Sequence, residues 1–122
     1  MELLHGDVTE KIIVAAYEVH RVLGYGFLEM VYQKALQAEL IRSGTKAEIA
    51  SKIKVLYKGV LVGEYAPDLL VNEVVVVEVK VANQYNRLDE AQLLNELKAT
   101  GFRVGMLINF GREKVEFKRL VM

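Results

Sequence analysis

Two charged residues interrupt a run of valines, and they are the side chains best placed to do chemistry. Glu78 and Lys80 stand within Val74-Val75-Val76-Val77-Glu78-Val79-Lys80-Val81. On a strand, residues two apart point to the same face, so the acid and the amine share one face while Val77, Val79 and Val81 take the other. An ionised carboxylate on so apolar a strand is costly unless it is paired or bound to a cation. A Glu78–Lys80 ion pair near the strand end would meet that demand without any function. A second acid points further. The sole proline stands directly before Asp68, in Tyr65-Ala66-Pro67-Asp68, and a turn at Asn72-Glu73 brings Asp68 opposite a residue near Glu78. Cross-strand neighbours lie ~4.5–5.5 Å apart, a spacing at which two carboxylates can share one hard divalent cation. Without a cation they would repel, and one would take up a proton. Lys80 alongside can partly neutralise them, orient a water, or stabilise charge on a phosphorane-like transition state.

The elements that must position these groups follow from pattern. Asp7 with Glu10 three residues later predicts a capping box and a helix to about Leu23, stopped by Gly24-Tyr25-Gly26. A second helix is predicted over roughly Leu28 to Ser43, with Gly44 as a left-handed C-cap. Strand patterning then runs from Lys46 to Tyr57, turns at Lys58-Gly59, and returns from Val60 to Val71. After Asn72-Glu73, the β-branched run Val74 to Val81 suits an interior strand covered on both faces. Arg87 to Thr100 reads as a helix closed by Gly101, and Arg103 to Phe110 and Lys114 to Val121 as two last strands. Strand 74–81, helix 87–100 and strand 103–110 make a βαβ crossover, which requires parallel strands. The order ααβββαββ predicts an α/β fold, a mixed β-sheet with flanking helices.

Composition narrows the function. The chain has 122 residues, of which 52% are apolar, enough for a core within a single domain over 1–122. Sixteen basic residues balance sixteen acidic ones, so no field of the whole protein attracts nucleic acid. Two lysine- and arginine-rich stretches, Lys46 to Lys58 and Arg112 to Arg119, can contact phosphates or guard edge strands against aggregation. With no cysteine, disulfide scaffolds, thiolate nucleophiles and zinc–thiolate sites are excluded. The opening Met1 to Asp7 shows no signal-peptide pattern, and the apolar runs Ile12 to Tyr17 and Val74 to Val77 are too short to span a bilayer. A cytoplasmic protein with no membrane partner is expected.

Pro67-Asp68, nine residues, then Glu78-Val79-Lys80 resembles the signature of the PD-(D/E)XK nuclease superfamily. Gly26-Phe27-Leu28-Glu29-Met30-Val31-Tyr32 resembles the motif of the GxxExxY protein family, which is grouped with that superfamily. Glu18 to Gly24, Gly63-Glu64-Tyr65, Glu90 to Asn95, and Lys98 to Gly101 through Ile108 to Gly111 are similar as well. The resemblance covers about residues 14 to 120. It implies a restriction-endonuclease-like core, Asp68 and Glu78 as ligands of Mg²⁺ or Mn²⁺, and the carbonyl of Val79 as a further ligand. It also implies Lys80 as the catalytic lysine, Glu29 as an acid completing the site, and Gln92 as a glutamine lining it. Subfamilies with that glutamine often carry a tyrosine four residues later; here that position is Glu96.

Plainer roles are open to several of these residues. Glu29 shares a helical stripe with Tyr32, Leu36 and Leu40, leaning toward the body, and lies in a first turn, where an acid favours the helix dipole. Gln92 sits at the edge of an apolar stripe, where it can simply hydrogen-bond a strand. His20 could be a metal ligand or general base, but a lone helical histidine suits a structural role better, and Tyr32 suits a packed aromatic whose hydroxyl finds a partner. The expected function is metal-dependent hydrolysis of phosphodiester bonds in nucleic acid, DNA ahead of RNA. The alternative is a catalytically silent nuclease-like binding or assembly module. A chain this short has little surface to grip and cut a duplex, which leaves room for a homodimer or a partner protein.

Overall fold

Pro67 and the two turns on either side of it decide how the sheet is built. The computed structural model describes residues 3–122; Met1 and Glu2, which begin the segment read above for a signal peptide, lie outside it. The elements are α1 (Gly6–Leu23), α2 (Glu29–Arg42), β1 (Ala47–Glu48), β2 (Ile53–Tyr57), β3 (Val60–Tyr65), β4 (Leu69–Val71), β5 (Val75–Lys80), α3 (Arg87–Thr100), β6 (Val104–Phe110) and β7 (Val115–Val121). Five strands form one mixed sheet in the order β1-β4-β5-β6-β7, and β2 and β3 form a separate two-stranded ribbon.

Two predicted strands are therefore each broken in two. The stretch 46–57 divides into β1 and β2, and 60–71 divides into β3 and β4. Proline cannot donate to a ladder, and at Pro67 the chain leaves the ribbon for the main sheet. The turns expected at the tips are present. Lys58 and Gly59 both have positive φ (49° and 84°), as do Asn72 and Glu73 (54° and 62°). At Lys58-Gly59 this is the two-residue turn whose twist matches paired antiparallel strands, with Tyr57 opposite Val60; the loop after Val71 takes in Val74 as well, so that Val71 pairs with Val75.

β4 pairs antiparallel with β5 through Leu69↔Val77, Leu70↔Val76 and Val71↔Val75. β5 pairs parallel with β6, as the crossover through α3 requires. β5 thus lies inside the sheet, and alternation along it divides the core. Val75, Val77 and Val79 face α1 and α2, where Ile12, Tyr32, Leu36 and Phe110 are buried with them. Val76 faces α3 and packs with Leu93, Leu97 and Leu107. A Cβ at Gly105 of β6 would meet the side chains of Leu93 and Leu97 at 3.2 Å, so glycine there lets α3 lie close on the sheet.

Helix ends differ in one respect from the sequence pattern. α1 begins at Gly6 behind His5, which has left-handed geometry and makes no side-chain cap, so Asp7 lies inside the first turn and no capping box forms. Asp7 still favours the helix dipole from there. α2 ends as expected at Gly44, with the amide of Thr45 bonded to the carbonyl of Leu40 and that of Gly44 to Ile41. This pair satisfies the last carbonyls of the helix. Asn86 caps α3, its side chain accepting from the amide of Leu88, and Gly101 closes it with a φ of 85°. No described helix is long and apolar enough to cross a membrane.

Candidate active site

β4 starts only at Leu69 while β5 runs on to Lys80, so the ladder between them stops at Leu69↔Val77. The next step of that register sets Asp68 opposite Glu78. Backbone groups that the missing ladder would have paired must find other partners, and here the two acids supply them. The amide of Val79 donates to Asp68 Oδ2 at 2.7 Å. The amide of Asp68 donates to Glu78 Oε1 at 3.3 Å. The carbonyl of Asp68 accepts from Gln33 Nε2 of α2 at 2.8 Å. Each carboxylate is thus tethered through one oxygen by a donor of the opposite strand.

Parity along β4 and β5 puts Asp68, Glu78 and Lys80 on the α3 face, in line with Leu70 and Val76. Tyr65, at the end of β3, packs against that same cluster. Its hydroxyl donates to Glu78 Oε1 at 2.7 Å. From α3, Glu96 comes within interacting distance of Tyr65, Gln92 and Lys80. Burial pushes the Glu78 carboxyl up to about 7, reinforced by the charges of Asp68 and Glu96 and opposed by the Tyr65 hydroxyl. Asp68 is raised by burial, against the pull of the Val79 amide and Lys80. Glu96 is raised for the same first reason, and Tyr65 and Lys80 oppose it. The Tyr65 phenol is raised by burial and by the Glu78 charge. Three acids, a lysine and a tyrosine therefore share one partly dry patch, in which carboxylates are poised to take up a proton or a cation.

The sequence-based candidates divide. Asp68, Glu78, Val79 and Lys80 are brought together. No ion pair joins Glu78 to Lys80 among the described residues, so the plain ion-pair account of this couple does not hold. Gln92 is exposed and reaches the group through Glu96. Glu29 is exposed at the start of α2 instead of leaning into the body; Gln33, one turn on, makes the contact from α2 to Asp68. Helix position explains the difference, because the stripe of Tyr32, Leu36 and Leu40 is buried only once the helix has passed its exposed first turn. His20 is structural: Nε2 lies 2.8 Å from the carbonyl of Gly111 and donates to it, since a carbonyl can only accept. Tyr32 is fully buried, donates its hydroxyl to the carbonyl of Gly24 at 2.5 Å and stacks on Phe110.

Sequence pattern does not single out Tyr65, Gln33 and Glu96, which the fold brings to the acids. Gln33 follows Glu29 by four, the spacing of one helix face, and Glu96 follows Gln92 by the same step. Nothing local marks Tyr65, whose place depends on the break at Pro67.

Among the described residues no group of three or more His, Cys, Asp or Glu side chains converges as a metal cage. Two carboxylates fit Mg²⁺ nonetheless, since that ion keeps several waters and is commonly held by one or two acids. No hydrogen bond occupies Asp68 Oδ1 or Glu78 Oε2 among the described residues. The Val79 amide points to the edge that β4 has vacated, and the two polar groups of a strand residue share a direction, so its carbonyl faces that edge too.

No curated protein matches the sequence. Among solved structures, the fold is similar to the crystal structure of an alkaline exonuclease, LHK-Exo, from Laribacter hongkongensis, with a TM-score of 0.47 and 12% sequence identity. That similarity covers 93% of this chain and 81% of the exonuclease. The family model of the PD-(D/E)XK nuclease superfamily matches residues 6–120, and the chain belongs to that superfamily.

Proposed function

We propose that the protein is a metal-dependent nuclease, hydrolysing phosphodiester bonds with DNA ahead of RNA, and that within its superfamily it is a GxxExxY protein. One observation carries the reading: Asp68 and Glu78 meet where β4 leaves β5, each tethered through one oxygen, with Lys80 on the same face. A structural account needs only the tethered oxygens; two half-buried carboxylates on one face, each with an oxygen free of hydrogen bonds among the described residues, suit a cation.

Asp68 Oδ1, Glu78 Oε2 and the carbonyl of Val79 hold Mg²⁺ or Mn²⁺ in this reading. Such an ion supplies Lewis acidity at the scissile phosphate and lowers the pKa of water bound to it. Lys80 orients the attacking water or the phosphate and offsets charge that builds during attack. Gln92 and Glu29 line the approach, and the exposed Lys52, Lys54 and Lys58 near the ribbon meet phosphates further along the strand. Nucleic acid is then the partner, and a second copy of the chain would extend the short binding surface.

The test is a cleavage screen over single- and double-stranded DNA and RNA with Mg²⁺, Mn²⁺ or a chelator, run beside Lys80→Ala. The parent should cut only with metal. Lys80→Ala should keep its affinity for Mn²⁺, because no ligand is lost, and cut roughly a hundredfold to a thousandfold more slowly. A Lys80→Ala protein that stays folded and cuts as fast as the parent takes Lys80 out of the mechanism. No cutting by the parent on any substrate favours a silent binding module, for which the balanced charge of the chain speaks.

A further inference from the structure

We infer that Tyr65 is a positioning residue for Glu78, fixing one carboxylate oxygen so that the other is presented to the cation. The inference rests on the metal-site reading above and deepens it. The Tyr65 hydroxyl donates to Glu78 Oε1 at 2.7 Å, and the amide of Asp68 donates to the same oxygen at 3.3 Å. Two donors on Oε1 and none on Oε2, among the described residues, give the carboxylate a defined orientation. A free glutamate side chain has three rotatable bonds and would spread over many rotamers. Here both ordering donors belong to the protein itself.

The tyrosine is itself well held. Its ring packs with the cluster of Val76, Leu93, Leu97 and Leu107 between the sheet and α3. A phenol so packed has a single remaining freedom at the hydroxyl, which makes it a stiff hydrogen-bond donor. It also stands on a different element from the acid it holds. Tyr65 ends β3, whose partners lie in the ribbon, while Glu78 belongs to the interior strand of the main sheet. Residue partners of metal-binding side chains typically matter by ten- to a hundredfold in metal affinity or activity when removed. Tyr65→Phe deletes only the hydroxyl and keeps the ring in its packing.

The experiment measures Mn²⁺ affinity by calorimetry for the parent, Tyr65→Phe, Glu78→Ala and the double variant, each checked for a folded thermal transition. Tyr65→Phe should weaken Mn²⁺ binding by roughly tenfold or more and lower kcat while leaving KM for nucleic acid in place. In the Glu78→Ala background the same change should have little further effect on Mn²⁺, since the tyrosine acts through that carboxylate. Equal Mn²⁺ affinity for parent and Tyr65→Phe overturns the inference while the metal site itself stands. An undiminished effect of Tyr65→Phe in the Glu78→Ala background overturns it too, as does a Tyr65→Phe protein that fails to fold. A parent that binds no Mn²⁺ fails the metal-site reading itself, and the role of Tyr65 with it.

Discussion

Glu78 is half-buried, accepts two hydrogen bonds and stands near two other acids, and its protonation records the outcome. Its carboxyl is raised from 4.5 to about 7, burial being the main cause. A folded-state pKa above the unfolded one means that the folded protein holds the extra proton between those values. Stability of the metal-free protein should therefore fall as pH rises from about 4.5 to about 7, by up to roughly 3 kcal/mol from this group. Asp68 and Glu96 are shifted in the same direction and steepen the fall. Denaturant unfolding across that range should show the slope in the parent, whereas Glu78→Gln should keep only what Asp68 and Glu96 contribute. An unchanged slope in Glu78→Gln would mean that the proton sits elsewhere. Strand parity made Asp68, Glu78 and Lys80 legible from the sequence, because alternation is a property of the local backbone. Tyr65 was not legible, since its contact with Glu78 spans two sheets.

The strand that carries Glu78 and Lys80 is anchored beyond its end by an element that patterning alone leaves unexplained. Asn109, fully enclosed in β6, accepts from the amide of Ala82 at 2.9 Å and donates to its carbonyl at 3.0 Å. Both backbone groups of the residue two beyond Lys80 are thereby satisfied by one amide side chain. Asn109→Ala leaves them without that partner, at a cost of about 1–3 kcal/mol. The unfolding midpoint should drop accordingly, and Mn²⁺ affinity should weaken as the end of β5 loosens. A variant with unaltered stability would show that water replaces the side chain there. The same element scale explains the divided strands. Alternation over 60–71 reads as one strand because hydrophobic period carries no information on where a ladder ends. Pro67 was visible, yet only the fold shows that the chain changes sheets at this point and frees the edge at which the acids meet.

At the scale of the whole molecule, binding of an ion to the folded state must appear as stability. An empty pair of neighbouring acids carries repulsion that a cation removes. Mn²⁺ at a hundred times its dissociation constant should add about 2.7 kcal/mol, visible as a higher melting temperature of the parent, and much less for Asp68→Asn. Equal shifts in the two proteins would place the ion elsewhere on the surface. The turns at Lys58-Gly59 and Asn72-Glu73, the helix stops at glycines, the interior β5 and the parallel crossover to β6 were all determined by the sequence itself. Each depends on interactions among residues close along the chain, or on a chain-length rule such as the crossover. The tertiary structure alone decided that Gln33 of α2, Tyr65 of the ribbon and Glu96 of α3 converge on the acids. Those three come from elements that meet only when both faces of the sheet are covered. Their meeting depends on how far each helix slides along the sheet and on where the ladder stops, and both are settled by packing.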